Sequence, residues 1–220
     1  MKRIFTFTLA LLCTASQALA QLDTDTPEFR AARAKYEALR NVAQQEAEKM
    51  STVDVYNELE RLDAAIAIRI ALHPETWLSG SDDQRGYGFS TVLSNRRDKG
   101  EAAASFYFGI RNWKDCQVLQ KFDKGQLSNQ LTHCWRKSFD SFKVASTANV
   151  PAATFNIARM YENGFGVIAS KYAAADWYVK SAEQYSKANL RDEALTSLEA
   201  ALTMVPDHPA ALRLRKVMLK

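Results

Sequence analysis

Apolar residues recur every three or four positions through most of the chain, the period of a helix that buries one face. Phe29, Ala32, Tyr36, Leu39 and Ala43 form a first stripe. Thr26 followed by Pro27 predicts its start, because proline is accepted at the first helical position. A second stripe runs through Val55, Leu59, Leu62, Ile66 and Ile70, with Ser51 or Thr52 as its cap and Pro74 and Gly80 beyond its end. Two such runs fall short of the roughly three to four heptads of a coiled coil. Ser81-Asp82-Asp83-Gln84 then fits a capping box, which accounts for the acidic pair better than a catalytic dyad does. No strand-like alternation persists, and the prolines at 27, 74, 151, 206 and 209 read as helix punctuation. The pattern predicts an all-α protein.

The stretch from 153 to 182 is the most informative. Ala153, Ile157, Met160 and Tyr161 share one helical face. Gly164 suits a helix end that needs positive φ, and Gly166 permits a second tight bend. A new helix is predicted near Lys171. Its Ala173 and Ala174 let a neighbour approach closely, while Trp177 and Tyr178 fill the volume beside them. Two antiparallel helices joined this way leave apolar surface on both sides, which a stacked neighbour must cover.

"AATFNIARMYENGFGVIASKYAAADWYVKSA" resembles the Sel-one-like repeat, a relative of the tetratricopeptide repeat. The matching positions are Ala153, Ile157-Ala158, Tyr161, Gly164, Gly166-Val167, Ala174, Trp177-Tyr178 and Lys180; Ala158, Ser170 and Tyr185 depart from the pattern. Residues 175 to 208 resemble a tetratricopeptide repeat through Tyr178, Ala182, Tyr185, Ala194, Leu198, Ala201 and Pro206. A fainter copy over 100–151 repeats the spacing at an offset of 49, with Gly100, Ala104 and Phe108-Gly109 matching Asn149, Ala153 and Ile157-Ala158. The resemblance does not reach the N-terminal helices of 21–99. It implies an α-solenoid of stacked antiparallel helix pairs over 100–208, closed by a capping helix over 209–220 that is polar on its outer side. It also implies a packing role for Tyr161, Trp177 and Tyr178.

Met1 to Ala20 reads as a signal peptide rather than as part of the fold. Met1, Lys2 and Arg3 are basic at the start, an apolar run spans Ile4 to Leu12, and Ala18-Leu19-Ala20 supplies the small-x-small cleavage pattern. The run is about half the roughly 20 residues of a spanning helix. Bulky Leu12 before Cys13 argues against a lipid attachment site. Cleavage after Ala20 predicts a periplasmic or secreted protein with no integral membrane segment. Without Lys2 and Arg3, 27 Lys and Arg stand against 25 Asp and Glu, too even a balance to argue for nucleic acid. Two cysteines then remain, Cys116 and Cys134. In an oxidising compartment they read first as a disulfide, worth about 3 kcal/mol for a loop of that length. A metal site with neighbouring His133 is the rival. His73 and His208 lack ligand-like spacing, and no metal or other cofactor is expected.

No serine is followed three residues later by lysine, and G-x-S-x-G and H-E-x-x-H are absent, so no catalytic residues are assigned. By analogy with tetratricopeptide arrays, Asp176, Lys180, Glu183 and Lys187, with Arg159 from the preceding helix, are candidates for a concave binding groove. The same residues also read as i, i+4 pairs that support a helix by a few tenths of a kcal/mol. Trp77, Trp113 and Trp135 have no place in the repeat pattern; an exposed one would mark a partner site. The expected function is a non-enzymatic scaffold for a protein or peptide partner. The alternatives are a structural accessory of an envelope assembly and an envelope hydrolase using Asp82, Asp83 or His133.

Overall fold

The computed structural model describes residues 27–72, 81–122 and 128–219. The regular structure in them is helical throughout: α1 (Pro27–Glu48), α2 (Thr52–Leu72), α3 (Ser81–Asp98), α4 (Ala102–Phe122), α5 (Ser128–Thr147), α6 (Pro151–Asn163), α7 (Lys171–Lys187), α8 (Arg191–Met204) and α9 (Pro209–Met218). The expected leader at 1–20, with Cys13, lies outside the described residues, as do His73, Pro74, Trp77, Gly80 and Gly125. So do the side chains of Phe29, Ala32, Ile70, Ser81, Asp82 and Asp83. The chain divides into two compact units, Met1–Val92 and Leu93–Lys220.

In the first unit the core holds Ala43 of the first stripe and Val55, Leu59 and Leu62 of the second, with Ala47 and Tyr56 beside them and Phe89 and Val92 from α3, while Tyr36, Leu39 and Ile66 are half-buried. Ser51 caps α2, its Oγ accepting from Asp54 N–H at 3.2 Å. Arg85 ties the three helices together through Glu46 of α1 at 3.0 Å and Glu58 of α2 at 3.5 Å. Arg61 also reaches Glu58, at 2.6 Å. Bonding from Arg61 outweighs desolvation and holds the Glu58 carboxyl below its usual range.

In the second unit successive helices pack on one another from α4 to α9, and α9 also touches α7. Three connections share one design. Between α3 and α4, α5 and α6, and α7 and α8, the middle turn residue is left-handed: Gly100 (φ 83°), Asn149 (φ 60°) and Asn189 (φ 60°). The next residue donates back five positions: Glu101 to Arg96 O, Val150 to Ala145 O and Leu190 to Tyr185 O, at 3.0–3.1 Å. The same three residues accept the first bond of the following helix, from Ser105, Thr154 and Ala194 N–H. One residue thus closes one helix and opens the next, satisfying backbone groups that a helix end otherwise leaves unpaired. The Gly100–Asn149 equivalence matches the offset of 49 in the sequence. Asn189, 40 residues further on, was not legible there, although Ala-Asn-Val and Ala-Asn-Leu precede both helices.

Two apolar layers result. Trp113, Cys116, Trp135, Phe139, Phe142, Ala145, Ala153, Ile157 and Met160 fill the space among α4, α5 and α6. Ala174, Ala175, Tyr178, Val179, Ala182, Ala194, Leu198 and Ala201 pack α7 on α8, with Ala158, Val205 and Ala211 around them. Between the layers lies a buried polar cluster. Ser146 Oγ and Thr154 Oγ1 are 2.7 Å apart, and Thr154 Oγ1 donates to Gln184 Oε1, so the Ser146 hydroxyl is the donor to Thr154. Gln184 Nε2 completes the cluster on Ser146 O at 3.3 Å.

Candidate functional site

The loop from Gly164 to Ser170 organises the centre of the second unit. Gly164 ends α6 in the left-handed conformation (φ 72°), its N–H donating to Met160 O. Gly166 is left-handed again (φ 69°), and a Cβ there would lie 2.7 Å from the Trp135 carbonyl carbon. Only glycine admits that approach. Phe165, held between them, stacks on Trp135 and meets the Trp113 edge at a centroid distance of 5.6 Å. Trp113 and Trp135 are 8% and 3% exposed, so neither offers the partner site that exposure would have marked. Ser170 then caps α7, its Oγ accepting from Ala173 N–H at 3.3 Å.

Cys116 and Cys134 form a disulfide across α4 and α5 (S–S 2.09 Å, Cα–Cα 5.7 Å), beside this aromatic layer. The two helices run antiparallel and close, because Gly109 leaves room for the Phe142 ring; a Cβ there would sit 2.5 Å from it. Tyr161 packs against both layers, Trp177 is half-buried, and Tyr178 is buried with its Oη donating to Glu162 Oε2 at 2.6 Å. Burial, then the Glu162 carboxylate, push the Tyr178 phenol well above its usual range. Ala194 and Ala201 are fully buried, while Pro206 is exposed in the turn before α9.

The sequence-nominated groove residues Asp176, Lys180, Glu183 and Lys187 are all exposed on α7. Spacings of four, three and four place them on one stripe, about 16 Å long. Tyr172, 63% exposed, heads the same stripe one turn earlier. Asp176 meets His208 Nε2 at 3.0 Å, and Lys180 Nζ lies 4.5 Å from the Trp177 indole centroid, so these two do not spend their charges on one another. Arg159 leaves α6 in another direction, its guanidinium 5.1 Å from the Trp113 ring centroid. His208 caps α9 with Nδ1, which accepts from Ala211 N–H at 3.3 Å. The outer side of α9 is not wholly polar: Leu212 and Val217 are exposed beside Arg213, Arg215 and Lys216.

A second feature was not legible in the sequence. A cleft of about 500 Å³ opens among α3, α4 and α5, and polar side chains line it together with Phe108 and Val144. Among the described residues, no three His, Cys, Asp or Glu side chains gather as metal ligands, and no helix is long and apolar enough to cross a membrane. No protein-family model matches the chain, and neither a curated protein nor a solved structure matches it.

Proposed function

We propose that the chain is an exported, non-enzymatic interaction scaffold of Sel-one-like and tetratricopeptide type, which holds a protein or peptide partner on the α7 stripe. The reading rests on one observation above the rest: Tyr172, Asp176, Lys180, Glu183 and Lys187 form a continuous exposed line on a helix whose opposite side is locked into α6 and α8. An exposed tyrosine beside charges of both signs is the composition of a binding surface, since a tyrosine offers large contact area at small entropic cost. The shared turn at 100, 149 and 189 supports a repeat that stacks by one rule. Such arrays present rigid helix faces rather than a catalytic pocket. A signal peptide cleaved after Ala20 and the Cys116–Cys134 disulfide together support a periplasmic or secreted site of action.

The test is affinity capture from a native cell envelope with wild-type chain and with Lys180→Glu/Lys187→Glu. A partner retained by the wild type and lost by the variant supports the stripe. Equal retention moves the binding surface elsewhere, and deletion of 21–72 then asks whether the N-terminal helices carry it.

A further inference from the structure

The α7 stripe carries its charges in the order acid, base, acid, base: Asp176, Lys180, Glu183 and Lys187. The i, i+4 pairs that would neutralise them along the helix do not form: among the described residues, neither lysine has a carboxylate within ion-pair distance. Lys180 lies over the Trp177 ring instead. Asp176 keeps its charge as well. His208 Nδ1 accepts from Ala211 N–H, so the ring proton sits on Nε2, and a neutral imidazole donates it to Asp176. The rest of α7 is committed to packing, with Ala174, Ala175, Tyr178, Val179 and Ala182 buried against its neighbours. Two acids and two bases therefore face outward along one line, without a counter-charge among the described residues.

This order is self-complementary. Positions 176 and 187 lie equally far from the middle of the stripe, as do 180 and 183, and each pair joins an acid to a base. A second α7 laid antiparallel across that middle sets Asp176 against Lys187 and Lys180 against Glu183, and two-fold symmetry repeats both contacts. Sliding it by one turn in either direction sets acids against acids and lysines against lysines, so repulsion fixes the register. Parallel copies in register meet like with like. Parallel copies one turn out of step do join Asp176 to Lys180 and Glu183 to Lys187, but that contact is head-to-tail and does not close. A uniformly acidic or basic partner would meet repulsion at every second charge. Building on the α7 stripe as the binding surface, we propose that its occupant is a second copy of this chain, paired antiparallel about a two-fold axis through the middle of α7. Each Tyr172 then falls one turn from the partner's Lys187, within reach of its aliphatic stem.

The experiment is sedimentation equilibrium of the purified chain from about 1 μM to 1 mM, at low and at high salt. The expected result is a reversible monomer–dimer equilibrium that salt weakens, because the contact is a short line of exposed charges. Lys180→Glu sets an acid against Glu183 twice and should weaken the dimer at least about tenfold. Lys180→Glu/Glu183→Lys reorders the stripe to acid, acid, base, base. Every antiparallel contact stays opposite in sign, while the staggered parallel contact becomes repulsive, so this variant should return the dimer. A wild type that stays monomeric throughout, a dimer insensitive to Lys180→Glu, assembly beyond the dimer, or an exchange variant no tighter than Lys180→Glu alone each overturns the proposal. An envelope partner captured by a monomeric wild type and lost by Lys180→Glu/Lys187→Glu would sink self-pairing and leave the stripe as the binding surface.

Discussion

Phe165 lies face to face on Trp135, with ring centroids 4.2 Å apart and planes 6° from parallel. The stack depends on the glycine at each side of Phe165. Gly164→Ala meets only left-handed strain, its nearest foreign atom being Ala169 Cβ at 3.4 Å, and should cost about 1–2 kcal/mol. Gly166→Ala adds a clash with the Trp135 backbone at 2.7 Å and should cost more, about 3 kcal/mol. Urea unfolding followed by tryptophan fluorescence ranks the two. Equal costs would mean that the loop lifts off α5 freely.

Reduction of Cys116–Cys134 should lower stability by about 3 kcal/mol, the chain-entropy value for a loop of this size, since the bond joins two helices whose connection spans the intervening residues. The check is the unfolding midpoint with and without reductant, beside Cys116→Ala/Cys134→Ala as the permanently unlinked form. The helical circular dichroism of the reduced chain should remain, because the Gly109–Phe142 contact holds the same pair independently.

Gln184→Leu should destabilise by about 1–3 kcal/mol, because Thr154 and Ser146 would keep buried polar atoms without their partner. Adding Thr154→Val should recover part of that loss. A double-mutant cycle should therefore give a coupling of about 1 kcal/mol, and strict additivity would show that the three side chains do not act as one cluster.

The two units should respond to opposite ends of the pH scale. Glu58 is depressed below its ordinary 4.5, so its contribution is present above that value and is lost as pH falls through the lower folded value. Tyr178 and Tyr185 are raised above their ordinary 10.0, chiefly by burial, so their contribution is whole below that value and declines as pH rises past it. Glu58→Gln should flatten the acid limb of the stability profile and Tyr178→Phe the alkaline limb, as read by denaturant midpoints from acid to alkaline pH.

The helical periodicity in the sequence identified the layers because core positions here are apolar and regularly spaced. Val55, Leu59 and Leu62, and Ala153 and Ile157, are buried as their spacing implies. Gly164 and Gly166 were legible because left-handed backbone selects so narrowly for glycine. Asn189 escaped because asparagine accepts the same conformation without announcing it. No spacing in the sequence pairs Ser146, Thr154 and Gln184; only three helices brought together reveal that they satisfy one another. The burial of Trp113 and Trp135 and the α3–α5 cleft depend on residues from separate helices, which no local spacing records.

The central claim is the binding role of α7. Its most direct measurement is the dissociation constant of the envelope partner for wild type, for Lys180→Glu/Lys187→Glu, and for Lys143→Glu, an exposed charge on α5. The account predicts at least about a tenfold loss for the α7 variant, the scale of two rim charges reversed, and no change for Lys143→Glu. An unchanged constant in the α7 variant would contradict it.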